Sequence, residues 1–242
     1  MATNSLGYEI KYNSKDKALI AVKHDGNLLE YTSDELRNDK DVVLYAVKQD
    51  GYALKYVSDE LKNDKDVVLA AVNKDGYSLQ YASDNLQNDK DVVMAAVSKK
   101  GYSLEYVSHE LKNDKDIVLE AVKQNGSSLY YASDELQDDK DVVLEAVKNN
   151  GYSLDCASKE LKDKYGYNSK EFINNLEAEI NSKNSISNND SLDNILNQLN
   201  NMENIKLEVV KPSNISNSNE TIKDNDSIEI DNIKKKSNSH RQ

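Results

Sequence analysis

The chain has 242 residues, enough for one or two domains with a real core, yet it contains no Trp, one Phe (Phe172), one Pro (Pro212) and 15 Tyr. Charged residues make up 31 % and the net charge is −12. That acidity favours solubility and weighs against generic phosphate-backbone binding, which depends on clustered Lys and Arg. One cysteine, Cys156, excludes an internal disulfide, and no apolar run is long enough to span a membrane.

The start, MATNSLGYEIKYNSKD, has neither an apolar h-region nor a basic flank, so no secretory signal is expected. With a lone thiol, the expected location is cytoplasmic. Residues 1–13 form a lead-in. From there to residue 162 the chain repeats, with Gly26, Gly51, Gly76, Gly101, Gly126 and Gly151 at intervals of 25. Such a period is the mark of a solenoid or array.

Each unit is expected to hold two short helices. The first opens at Ser14, Asp39, Asp64, Asp89, Asp114 or Asp139, whose side-chain oxygens suit an N-cap. Two residues on, Asp16, Asp41, Asp66, Asp91, Asp116 and Asp141 suit the positive end of the helix dipole. The body is VVLxAV. The periodic Gly then fits a C′ residue in the left-handed conformation, where a side chain costs about 1 kcal/mol. The second helix, as in GYSLQYASDNLQN, carries a stripe such as Leu54, Val57 and Leu61. A mid-helix Ser (Ser33, Ser58, Ser83, Ser108, Ser133, Ser158) is expected to bend it by bonding to a carbonyl one turn earlier.

In VVLAAV, Val67, Val68, Leu69, Ala71 and Val72 wrap more than half of the helix, so neighbouring units must cover the rest. Ala21, Ala46, Ala71, Ala96, Ala121 and Ala146 mark a place of close helix approach. Lys17 and Ala18 stand where later units have Val or Ile and Val, which makes the first unit a polar end cap. The fold class is therefore all-α, an α-solenoid of two-helix repeats over residues 14–162. With adjacent helices 8–10 Å apart, six repeats make a rod or shallow arc of roughly 50–60 Å.

After residue 162 the spacing breaks. Residues 163–182 are expected to form a closing helix with Phe172, Ile173, Leu176 and Ile180 on one side. Residues 183–242 are rich in Asn and Ser and expected to be largely disordered. Within them, 191–205 has helical spacing through Leu192, Ile195, Leu196, Leu199, Met202 and Ile205, as a partner-binding helix or one that folds back. Lys234, Lys235 and Lys236 are a solvated charge run or a nuclear-import signal.

The unit VLxAVKQ(N/D)GxxLxYAS(D/E)ELKNDK(D/E)VV resembles the tandem repeat of the family called domain of unknown function 4116, across residues 14–162. That family occurs mainly in large DNA viruses, protists and some bacteria, and the resemblance implies no catalytic residues. In unit length the chain is loosely similar to leucine-rich variant repeats. It lacks the cysteines that an iron–sulfur cluster would need there.

The residues themselves point away from catalysis and metal binding. His24, His109 and His240 are scattered, and the N-D-K-D motif runs into valines where a calcium loop needs further oxygen ligands. No cofactor is expected. Tyrosines recur one helical turn apart (Tyr52 with Tyr56, Tyr77 with Tyr81, Tyr102 with Tyr106), while Tyr31 and Tyr131 extend the second row and Cys156 interrupts it. Without a Lys/Arg stripe, packing between repeats is the ordinary reading and base stacking the sharper one, so no nucleic-acid partner is expected.

The units differ at two places. One varies as Glu30, Lys55, Gln80, Glu105, Tyr130 and Asp155, the other as Ile20, Tyr45, Ala70, Ala95, Glu120 and Glu145. Both are expected on the solvent side, with Tyr45, Tyr130, Glu30, Lys55, Glu105, Glu120 and Glu145 as candidate partner-binding residues. The expected function is a monomeric, non-enzymatic protein-interaction scaffold. The alternative is an acidic decoy that binds basic proteins or mimics nucleic acid.

Overall fold

A computed structural model describes residues 3–184 and Ile195; the expectations for the tail, including the helix over 191–205 and Lys234–Lys236, lie outside the described residues. The all-α solenoid with its 25-residue repeat is observed, and among the described residues there is no strand, only two isolated β-bridges. No helix in that range is long and apolar enough to cross a membrane.

The third repeat can stand for the others. Its first helix is Lys65–Lys74, with Asp64 as N-cap accepting from the N–H groups of Asp66 and Val67. Asp39, Asp89, Asp114 and Asp139 cap their helices in the same way. Ser14 holds the N-cap place in the first repeat, but its side chain accepts no bond there. Val67, Val68, Ala71 and Val72 are fully buried. Each first helix packs on those of its neighbours and on the adjoining 3-10 helices, so the core is one continuous seam along the repeats.

The expected second helix is broken in two. A 3-10 helix, Gly76–Tyr81, is followed by an extended Ala82 and Ser83 and then a short α-helix, Asp84–Gln87. The break lies at the recurring Ser, which does not bend a helix from within but starts a new one. Ser83 is the N-cap, its oxygen accepting from Leu86 N–H. Its hydroxyl donates to Asn63 Oδ1 of the preceding repeat at 2.6 Å, and its N–H to Lys62 O at 3.0 Å. Ser58, Ser108 and Ser133 make the same clamp to Asn38, Asn88 and Asn113, and Ser158 makes it to Asp138.

The repeat glycines need a second correction. Gly26, Gly51, Gly76, Gly101, Gly126 and Gly151 are not in the left-handed conformation; among the described residues positive φ occurs only at Gly7 and Gly166. Each repeat glycine instead opens the 3-10 helix. At Gly76 a Cβ would overlap the backbone carbonyl oxygen of Ala96 in the next repeat. Gly26, Gly101 and Gly126 meet Ala46, Ala121 and Ala146 in the same way, and at Gly51 the carbonyl oxygen of Ala71 would lie 2.7 Å away. At these five junctions the recurring Ala and the recurring Gly are two sides of one backbone contact between repeats; Gly151, at the last repeat, faces the Ser169 side chain instead.

The two ends differ. Lys17 is exposed, and Ile20 is 73 % exposed beside a pocket of ≈ 480 Å³. At the other end Gly166, with φ of 116°, terminates the helix Lys159–Tyr165, and a further helix occupies 169–184. Phe172 and Leu176 are fully buried, with Ile173 and Ile180 against the core.

Candidate functional site: a tyrosine row beside a lysine ladder

Two lines of side chains run from repeat to repeat. The first is an ion-pair ladder built from the Lys between the two Asp of the D-K-D motif, and from Lys15 between Ser14 and Asp16 in the first repeat. Lys65 Nζ lies 2.9 Å from Asp89 and 2.7 Å from Asp91 of the following repeat. Lys15, Lys40, Lys90 and Lys115 bridge to the corresponding pairs. At the last rung Lys140 has no following repeat and pairs with Glu179 of the closing helix at 3.0 Å. Burial pushes the capping carboxyls of Asp39, Asp64, Asp89, Asp114 and Asp139 up, but the facing lysine and the helix N–H groups outweigh it. All five sit below the ordinary aspartate range. Sequence reasoning found the caps and missed the lysines. The available signal was a Lys fixed between two Asp at every unit boundary.

The second line is the tyrosine row. Tyr52 packs edge-on against Tyr81 at 6.0 Å between centroids, and Tyr102 against Tyr131 at 6.1 Å. Tyr52, Tyr77, Tyr102, Tyr106, Tyr131 and Glu105 line an open groove of ≈ 460 Å³. Burial, then Glu105, raises the Tyr106 and Tyr131 phenols, and burial with Glu30 pushes Tyr56 up to about 12, so these rings stay neutral. Cys156 ends the row as a half-buried thiol, raised by burial and Asp155.

The structure separates the candidate residues. Glu30, Lys55, Glu105 and Tyr130 stand beside the tyrosine row: Glu30 and Glu105 help to raise the neighbouring phenols, Lys55 lies 5.6 Å from the Tyr56 ring, and Tyr130 packs on Tyr131 at 5.2 Å. Tyr130 is 69 % exposed. Tyr45 is 45 % exposed and lies under the Lys23 ammonium at 4.6 Å. Glu120 and Glu145, expected to face solvent, are only half-exposed because the neighbouring repeats' first helices pack beside them.

The lead-in is part of this face, which its sequence did not disclose. Asn4 Nδ2 donates to the carbonyls of Glu30 and Thr32, Lys11 N–H donates to Tyr31 O at 2.9 Å, and Tyr8 packs edge-on against Tyr31 and Tyr56. Arg37, buried where other repeats have Lys or Gln, ties Ser5, Asp34 and the Tyr56 carbonyl together.

The family model described as domain of unknown function (DUF4116) matches residues 14–62, 64–112, 89–137 and 114–162. The chain belongs to this family. No curated protein and no solved structure matches it significantly. The last three DUF4116 matches overlap in steps of one repeat, and the four together cover the stretch in which the Lys–Asp ladder, the Ser–Asn clamp and the Gly–Ala contact recur. What the DUF4116 units share is thus largely their means of stacking.

Proposed function

We propose that the chain is a non-enzymatic scaffold that holds a partner protein along the tyrosine row. The observation that carries this reading is the division of labour within the repeat. Shared side chains are consumed in the core and the junctions, whereas the position that varies most (Glu30, Lys55, Gln80, Glu105, Tyr130, Asp155) flanks an open aromatic groove. Tyrosine offers a large contact area at low conformational cost and is enriched where proteins bind one another. On this reading the chain acts as a cytoplasmic monomer, independent of membranes and nucleic acid. The ladder lysines are engaged with aspartates, which leaves them poorly placed for phosphate, and the same pairing spends part of the acidity that a decoy of nucleic acid would need.

The test is affinity capture with the full chain against Tyr102→Ala and Tyr130→Ala. A partner retained by the wild type at moderate salt, and lost by the variants with circular dichroism unchanged, supports the scaffold. Capture that ignores both variants removes the row from consideration. Capture that collapses with modest salt favours the acidic decoy instead.

A further inference from the structure

The row contains one constellation twice. Glu30, Tyr31 and Tyr56 recur three periods later as Glu105, Tyr106 and Tyr131. In each copy one carboxylate lies beside both phenols and helps to raise them. In each a third ring packs edge-on: Tyr8 against Tyr31 and Tyr56, and Tyr102 against Tyr131.

The copies differ in what lies on them. The first carries the chain's own lead-in. The Lys11 ammonium sits 4.3 Å from the Tyr31 ring centroid, and the backbone N–H groups of Lys11 and Tyr12 both donate to Tyr31 O, at 2.9 and 3.3 Å. Over Tyr106 and Tyr131, among the described residues, there is no ammonium or guanidinium. Lys112, the nearby cation, donates to the backbone carbonyl of Glu105 at 2.8 Å.

We propose that the Glu105 groove binds a lysine side chain on an extended segment of a partner protein, in the manner in which Lys11 occupies the first copy. The face of a tyrosine ring carries negative potential and attracts an ammonium group, and a carboxylate beside it adds to the attraction. The Tyr106 carbonyl is the counterpart of the Tyr31 carbonyl that anchors the lead-in's backbone. A peptide therefore meets the same acceptor as well as the same rings. The inference rests on the reading of the row as the partner-binding face, and it adds the chemistry of the partner.

The test titrates the isotope-labelled full chain with a blocked synthetic peptide of the lead-in sequence, YEIKYN, and with the same peptide carrying norleucine in place of lysine. The expected result is saturable shifts of the Tyr106 and Tyr131 ring signals. Affinity should fall roughly fivefold or more with the norleucine peptide, and by a similar factor with the native peptide on Glu105→Gln. Equal binding of both peptides along the row overturns the lysine site while leaving the row as a docking face. Unchanged affinity on Glu105→Gln overturns it too, as do shifts confined to Tyr31 and Tyr56, which mean exchange with the lead-in. If neither peptide moves any tyrosine signal, both the lysine site and the placement of the partner face on the row are lost.

Discussion

The repeat junctions and the tyrosine row belong to the same 25-residue unit, yet they treat variation in opposite ways. At the junctions, Lys–Asp, Ser–Asn and Gly–Ala recur with few exceptions, because each must meet a copy of itself one period away. Along the row one position takes acidic, basic, amide and aromatic side chains in turn; Glu30 and Glu105 lie near a tyrosine of the next repeat, but no pairing there recurs in every unit. Where a residue must fit its own neighbour, geometry holds its identity. Where it faces outward, the neighbouring units place no such demand on it.

That contrast can be broken most forcefully at a glycine. Gly76→Ala places a methyl group against the Ala96 carbonyl, a backbone atom that cannot step aside, and should destabilise by about 3 kcal/mol in denaturant unfolding. Gly151→Ala provides the control. There the nearest atoms belong to the Ser169 side chain, so the cost should stay within about 1 kcal/mol.

Acid should strike the junctions next. The capping aspartates lie below their ordinary pKa when folded, so their stabilisation is complete above the unfolded value of about 3.9 and is lost as pH falls through the folded values. Thermal midpoints should therefore hold nearly level down to about pH 4 and then drop. Lys65→Met should raise the Asp89 carboxyl, visible by NMR titration, and make that rung fail earlier.

A smaller effect has the opposite sign. The hydroxyls of Ser78, Ser103, Ser128 and Ser153 are buried without a hydrogen-bond partner, and the second repeat carries Ala53 at the same place. Ser78→Ala should stabilise by about 1 kcal/mol by removing an unsatisfied polar group. Unchanged or lower stability would mean that the hydroxyl has a partner in solution. The smallest effect belongs to the row: Tyr130→Ala should change stability by less than about 0.5 kcal/mol, since the ring is mostly in water.

The sequence disclosed those features that have a local cause. Asp64 before a helical run is a cap whatever lies around it, and VVLAAV demands cover from neighbours on two sides. It misled where one pattern serves two structures. A 3-10 helix brings i and i+3 together much as an α-helix does, so Gly76–Tyr81 and Asp84–Gln87 looked like one helix. A glycine after a helix fits either a left-handed turn or a close approach, and only the position of the Ala96 carbonyl decides. At the candidate site, the tyrosine periodicity was plain in the letters. The hold of Lys11 and Tyr8 on Tyr31 was not, because the lead-in lies outside the repeat and no period announces its register.

The self-matching junction also makes length a free variable. If residues 64–88 were removed in one piece, Asn63 would be followed by Asp89, and Lys40 would find Asp89 and Asp91 where it now finds Asp64 and Asp66. Ser108 would find Asn63 in place of Asn88. No junction would change its chemistry, so copying errors that add or drop a whole unit are tolerated by the fold. Such a change would take Tyr77 and Tyr81 out with their unit and shorten the interval between the Lys11-covered tyrosines and the Glu105 groove. The chain is in that sense a ruler, graduated in repeats, whose length can change by whole units while every graduation stays the same.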